Sequence, residues 1–381
     1  MIKILNFFKR PEVKYILILF LVTRIILSII GFSSRMMLES FKVNVHNFDY
    51  HPSKVLSIWG VWDSGYYLGI AEHGYSATLG QLAMTSNQAN YAFFPLYPLT
   101  IKILNILVNN YYLAGLIISN LCLLAAAWWL YKLIKLDYSE DVAKNSVKYL
   151  FLFPVAFILS GVFSESLFLL LLILAFYFTR KEKWLAVGLS GLLLTLTRPL
   201  GILVLLPIAW EYFASLQYKI KKINYQVLYL LFWPAGLVIF LVYIKYLSGD
   251  FLNYFKTQSF GWGHIFSNPL TVIAHGLTSQ DIFQFLPLII SLALILILIL
   301  KLKILRPAYI LLAALLFIFP LTTGDTSLNS ILRYTLPIFP IFIALATLFD
   351  NKKWEELLII GLALLQGFLM VFWTIGLHLI V

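Results

Sequence analysis

Asp63 stands in Trp59-Gly60-Val61-Trp62-Asp63-Ser64-Gly65-Tyr66-Tyr67, with Glu72, His73, Gly74 and Tyr75 close behind. A carboxylate among aromatic rings is partly desolvated, which raises its basicity and suits a general base. Two arginines stand out further along. Arg198, in Thr197-Arg198-Pro199-Leu200-Gly201, interrupts an apolar stretch, and Arg333-Tyr334 opens another. An arginine within apolar sequence usually faces a cavity and a partner, and its guanidinium matches phosphate oxygens in bidentate fashion. One carboxylate and two arginines suit a base that takes a hydroxyl proton and cations that receive a phosphate leaving group. One base with no carboxylate nucleophile suits an inverting displacement, because retention usually needs a second carboxylate nearby.

Other polar and aromatic residues admit two readings each. Glu165, in Phe163-Ser164-Glu165-Ser166, fits a helix N-terminal cap or the same polar site. Trp59, Trp62, Tyr66 and Tyr67 fit an interfacial aromatic belt or part of the same site. His73 fits a structural role and Glu72 a solvated loop acid, or both meet substrate with Tyr75, Phe94 and Tyr97. Lys256 and His264 are candidate phosphate contacts without diagnostic spacing. There is no HExxH, no Cys/His cluster and no DxD pair, so no metal is expected unless Asp63 and Glu165 converge. The lack of a P-loop and of a GxGxxG turn argues against direct use of a cytosolic nucleotide.

These residues must be held by a hydrophobic chain. Of 381 residues, 61% are hydrophobic, 17% aromatic and 12% charged, and the mean hydropathy is +0.89. A soluble chain carries about 25% charged residues. The composition therefore excludes a soluble domain, a disordered chain and a coiled coil, and predicts an all-α integral membrane protein. Cys122 is the sole cysteine, so no intramolecular disulfide exists.

Clear apolar spans are predicted at 14–32, 111–133, 145–161, 164–180, 226–247, 282–300, 307–322, 333–349 and 357–380. The first is read as retained, since no small-x-small cleavage site follows it. Six basic clusters, around Lys3–Lys14, Lys132–Lys148, Arg180–Lys183, Lys219–Lys222, Lys301–Arg306 and Lys352–Lys353, hold 19 of the 28 basic residues. Cytoplasmic loops retain Lys and Arg, so an even number of crossings must separate successive clusters. That parity makes 184–213 a hairpin with Arg198-Pro199 at its outer tip, and lays 91–108 along the outer interface. The prediction is 11 spans in a single domain over 1–381, N-terminus inside and C-terminus outside. The outer loops are 33–110, 248–281 and 323–332, and the candidate site residues all fall on this extracytoplasmic side. The net charge of +11 then belongs mostly to the inner face, and nucleic acid is not an expected partner.

The stretch from Trp62-Asp63 through Tyr67, Ile70-Ala71-Glu72-His73-Gly74-Tyr75 and Ala92-Phe93-Phe94-Pro95-Leu96-Tyr97-Pro98-Leu99 resembles the PIG-V family. These are GPI mannosyltransferase II enzymes and prokaryotic relatives, within the multi-spanning GT-C glycosyltransferases. Phe163–Phe168, Thr197–Gly201 and Arg333-Tyr334 support the resemblance, which runs from about 14 to 345. It implies a GT-C arrangement with interfacial helices in the large first outer loop. It also implies an enzyme that moves mannose, or a similar hexose, from a polyprenyl-phosphate carrier (dolichyl phosphate in eukaryotes) to a lipid or glycan acceptor. Asp63 would be the catalytic base, with no cofactor. Trp62, Tyr67, Glu72, His73, Tyr75, Phe94, Tyr97, Glu165, Arg198, Arg333 and Tyr334 would meet substrate. Eukaryotic members often carry His-Phe where this chain has Tyr66-Tyr67, a departure that bears on the acceptor and fits a prokaryotic relative.

Three other readings stay open from the residues. A lipid-linked sugar flippase or transporter would share the spans but place polar groups near the midplane. A noncatalytic membrane subunit, or an enzyme assisted by a small membrane partner subunit, would share most of the sequence. An oligosaccharyltransferase or O-antigen ligase would share the plan and transfer a whole glycan.

Overall fold

Apolar runs become helices, and among the described residues there is no strand. The computed structural model describes residues 8–40, 48, 50–76 and 88–377. Its main helices are α1 (Pro11–Ser40), α2 (Ser64–His73), α3 (Leu96–Val108), α4 (Tyr111–Ile134), α5 (Glu140–Leu152), α6 (Glu165–Arg180), α7 (Trp184–Thr197) and α8 (Leu205–Ser215). They continue as α9 (Phe232–Ser248), α10 (Asn253–Trp262), α11 (Pro269–Thr278), α12 (Ile282–Leu300), α13 (Pro307–Leu321), α14 (Ile331–Thr335), α15 (Pro340–Ala346) and α16 (Lys352–Thr374).

Five helices are long and apolar enough to cross a membrane: Pro11–Leu38, Tyr111–Ile134, Tyr225–Ser248, Ile282–Leu300 and Lys352–Thr374. A sixth arises if Asp325–Thr335 and Pro340–Ala346, bent by 60°, form one broken span. The chain is thus a multi-pass membrane protein. The other expected spans appear as shorter helices or as broken ones, and the expected 357–380 span runs past the described residues. The break in 145–161 has a local cause. Pro154 cannot continue α5, and the next residues form a 3₁₀ turn at Ala156–Ser160. Backbone carbonyls freed there are taken by side chains from far away. Gln366 donates to the Phe151 and Phe153 carbonyls at 2.9 and 2.8 Å. Arg24 donates to the Ala156 carbonyl at 3.0 Å and the Ser160 hydroxyl at 2.8 Å. A buried arginine inside α1 therefore mends backbone that no water could reach.

Helices α4, α6, α7 and α9 pack side by side as a central row. The α7–α9 contact depends on small residues. A Cβ on Gly191 would lie 2.0 Å from the Trp233 indole, and one on Gly236 2.2 Å from Thr195 Oγ1. Thr195 Oγ1 donates to the Trp233 carbonyl at 3.0 Å. Gly191→Ala is expected to destabilise the fold by about 1–3 kcal/mol through overpacking. Thermal unfolding in detergent checks this, and a pairing with Trp233→Phe should recover part of the loss.

The two ends of the bundle differ in chemistry. At one end Arg180 pairs with Asp137, and Arg306 reaches Asp137 at 3.4 Å. Arg306 also grips Glu211 with two donors at 3.0 and 2.9 Å, and Lys148 pairs with Glu355 at 2.6 Å. Segments around four of the basic clusters meet here. Helix α6 runs from this end, at Arg180, to Glu165 at the other, about 24 Å away by its rise. Helix α7 makes the same journey to Arg198, and α8 returns to Glu211. The hairpin with its tip at Arg198-Pro199 is therefore present. Helix α3 has 13 residues, too few to span, with Ile106 and Leu107 left bare on one side.

Candidate active site

The end opposite the basic pairs gathers residues from four distant segments. Asp63 comes from the turn that starts α2, Glu165 from the first turn of α6, Arg198 from the α7 tip and Arg333 from α14. Each is placed by a local break. Trp62 adopts φ of +45°, in the left-handed region. A bulky residue held there costs on the order of 1–3 kcal/mol, and such strain collects at functional sites. It turns the chain just before Asp63, whose side chain makes no capping bond to its own helix. Arg198 precedes a proline, so its backbone is extended, at φ −155° and ψ 145°, and α7 stops there. Arg333 lies between the 3₁₀ turn Asp325–Ser330 and the 60° bend that follows Thr335.

The four side chains form one chain of ion pairs. Arg333 Nη1 donates to Asp63 Oδ2 at 2.7 Å. Arg333 Nε donates to Glu165 Oε1, and Arg198 Nη1 donates to the same oxygen at 2.6 Å. The order is Asp63, Arg333, Glu165, Arg198, with two charges of each sign. The inner pair is the more buried: the Glu165 and Arg333 side chains are 2% and 6% exposed, against 19% for Asp63 and 16% for Arg198. Burial of so many charges is tolerable because each is paired. Phe163 lies under the Arg333 guanidinium at 4.8 Å, and Tyr334 faces Arg198 at 6.0 Å.

Asp63, Arg198 and Arg333 open on one cavity of about 860 Å³. Trp62, Tyr67, Phe94 and Tyr334 line it as well, so seven of the twelve candidate residues share its wall. Glu165 lies behind the wall and holds the two arginines. Its position at the start of α6 also suits the helix dipole, but Oε1 is taken by the two arginines and Oε2 accepts no hydrogen bond among the described residues. Tyr67 bonds Ser164 at 2.8 Å, and burial, with the Glu165 carboxylate, raises its phenol well above the usual tyrosine range. It stays protonated.

The other four candidates are placed elsewhere. Glu72 and His73 are exposed and lie 3.7 Å from one another. Tyr75 donates to the Phe93 carbonyl at 2.8 Å and packs against Phe240, which ties the first loop to α9. Tyr97 is fully buried and bonds Ser119 at 2.7 Å. Lys256 turns to Asp250 at 2.9 Å, whereas His264 does line the cavity, where burial lowers its basicity. Asp63 and Glu165 do converge, but on Arg333 from two sides. Among the described residues, no group of three or more His, Cys, Asp or Glu side chains could hold a metal.

The cavity also has walls that the sequence reading passed over. Tyr254, Gln258 and Trp262 come from α10, and Thr326, Asn329 and Ser330 precede Arg333. Their spacings, every fourth residue in α10 and i, i+3, i+4, i+7 up to Arg333, are helical faces and were visible signals.

No protein-family model matches the chain, and comparison with curated proteins finds no match. Eight chains of solved structures match it. One is an oligosaccharyltransferase from Archaeoglobus fulgidus, crystallised tethered by a disulfide to an acceptor peptide containing an NVT sequon. The two are 12% identical, with a TM-score of 0.47, and the match covers 98% of this chain and 56% of that one. The present chain thus spans about half the length of that protein.

Proposed function

We propose that the protein is a membrane glycosyltransferase of the GT-C type, related to the PIG-V enzymes. It transfers mannose or a similar hexose from a polyprenyl-phosphate donor to a hydroxyl acceptor on the extracytoplasmic side, with inversion. The observation that carries this reading is the placement of one carboxylate, Asp63, and two arginines on a single cavity at one end of an apolar bundle.

The acceptor hydroxyl attacks C1 of the sugar as the bond from C1 to the lipid phosphate oxygen breaks. The hydroxyl proton passes to Asp63, and the bonding electron pair leaves with the phosphate. Arg198 is the more exposed guanidinium and faces the growing phosphate charge. Arg333 spans Asp63 and Glu165 and fixes the base. Glu165 lies behind the arginines and is not the nucleophile a retaining mechanism would need.

Proteoliposomes given radiolabelled polyprenyl-phosphate mannose test the reading, with the glucose and arabinose donors in parallel. Transfer to an extractable acceptor is expected from one of them. A folded protein that moves no sugar from any of the three overturns it. A guanidinium is the cation between the two carboxylates, so EDTA is expected to leave the initial rate unchanged; a full block restored by a divalent ion would reassign that role.

A further inference from the structure

A second cavity lies at the end of the bundle that carries the basic pairs. Helix α7 starts there at Trp184, and the continuous helical segment Tyr225–Ser248 starts beside it. The two segments touch at Gly188, where a Cβ would lie 2.5 Å from the Tyr229 carbonyl. Between their first residues opens a cavity of about 410 Å³, lined by Lys183, Trp184, Ala186, Leu189, Tyr225 and Gln226 among others. Small-ligand pockets usually enclose roughly 300–1,000 Å³. The mouth is cationic. Lys183 lines it, Lys181 lies two residues earlier, and Lys219, Lys221 and Lys222 come just before Tyr225. All five lysines are exposed, and none forms an ion pair among the described residues. By contrast, Lys135, Lys144, Lys148, Arg180 and Arg306 at the same end each hold a carboxylate. The acid on the cavity wall, Glu182, is exposed and flanked by Lys181 and Lys183. The flank is apolar. Leu185, Leu189 and Leu193 are exposed at i, i+4 and i+8 of α7, one stripe along the helix.

We propose that this cavity binds the headgroup of an anionic phospholipid of the inner leaflet, with its phosphate at Lys183 and an acyl chain along Leu185, Leu189 and Leu193. Retention of lysines in cytoplasmic loops explains how many there are. It does not explain a cavity whose cationic mouth continues into a bare leucine stripe. A phosphate diester meets the mouth, and its chain meets the stripe. Basic pockets between helices on the cytoplasmic side hold such headgroups, whereas a soluble phosphate ester would leave the stripe unused. Trp184 and Arg198 stand at opposite ends of α7, about 20 Å apart by its rise. The lipid site is therefore independent of the transfer proposed for the other end.

Purified protein in detergent is titrated with phosphatidylglycerol and with phosphatidylcholine of the same chains, and bound lipid is counted by native mass spectrometry. One phosphatidylglycerol is expected to bind at concentrations where phosphatidylcholine does not, and to raise the unfolding temperature. Lys183→Gln should weaken that binding by about fivefold, the scale of one lysine at an anionic membrane surface. Ala186→Trp fills the cavity with every lysine in place, and should abolish it. Lys352→Gln with Lys353→Gln removes two exposed lysines elsewhere at the same end, and should leave it unchanged. Thermal unfolding without added lipid shows whether each variant is folded. Equal binding of the two lipids, or undiminished phosphatidylglycerol binding by folded Ala186→Trp and by Lys183→Gln, overturns the site. An equal loss in the Lys352 and Lys353 double variant would mean diffuse attraction to a basic surface, and overturns it too. Displacement of the lipid by glycerol 3-phosphate at equal concentration would make the ligand a soluble phosphate ester and overturn the lipid assignment.

Discussion

Asp63→Asn is expected to lower kcat for sugar transfer by about 10²–10⁴-fold, the usual contribution of a positioned general base, while the donor KM stays unchanged. The substitution keeps the size of the side chain and an oxygen that can still accept from Arg333 Nη1, now 2.7 Å from Asp63 Oδ2. It removes only the ability to take a proton and one negative charge. Arg333 keeps its second carboxylate partner, Glu165, so the guanidinium is not stranded. A structural role for Asp63 would therefore lower the melting temperature as much as it lowers activity. A catalytic role lowers kcat in a protein that still melts near the wild-type temperature and still binds donor. Transfer by Asp63→Asn at the wild-type rate would remove Asp63 from the mechanism. Asp63→Glu supplies the control: it restores the proton acceptor but pushes it about one carbon further into the cavity, and should recover a fraction of the rate.

Much of the fold is legible in hydrophobic length. The spans predicted at 14–32, 111–133, 226–247 and 282–300 lie within the continuous helical segments Pro11–Leu38, Tyr111–Ile134, Tyr225–Ser248 and Ile282–Leu300, because twenty apolar residues bury backbone in lipid only as a helix. The hairpin at 184–213 follows from charge parity and the proline after Arg198. What was not legible is how broken helices are repaired. Pro154 announces a break, but the groups that satisfy it, Gln366 and Arg24, lie more than a hundred residues away in sequence. Arg24 lies inside the first apolar span, and nothing in its neighbours announces a partner at Ala156 and Ser160.

The site shows the same division. Asp63, Arg198 and Arg333 stand out by residue type, since charge is costly near apolar sequence. Their pairing does not, because Glu165 meets Arg198 and Arg333 across 33 and 168 residues. Sequence position relative to Asp63 does not decide which residues line the cavity: Glu72, His73, Tyr75 and Tyr97 do not. Tyr254, Gln258 and Trp262, at every fourth position of α10, do line it.

Glu165→Ala is expected to cost about 3–5 kcal/mol of stability, the scale for removing one partner of a buried ion pair. Glu165 Oε1 receives both arginines, and its side chain is 2% exposed, the least of the four. Without it, two guanidinium groups face a single carboxylate, Asp63, in a setting where water cannot easily take up the difference. The loss would exceed that of a helix cap, about 1 kcal/mol, so magnitude alone separates the two readings of this residue. Glu165→Gln should fall between, since it leaves an acceptor oxygen but no charge. The decisive comparison is the double variant Glu165→Ala with Arg333→Met. If the penalty comes from a stranded cation, removing the cation should return part of the stability, and the cycle will show a coupling well beyond the few tenths of a kcal/mol typical of independent sites. Strictly additive losses would mean that Glu165 supports α6 by packing and not by holding the arginines. Activity should follow a different order. Glu165→Gln, if folded, should raise the donor KM, since Arg198 loses the anchor that aims it at the cavity, and change the pH profile little while Asp63 remains the base.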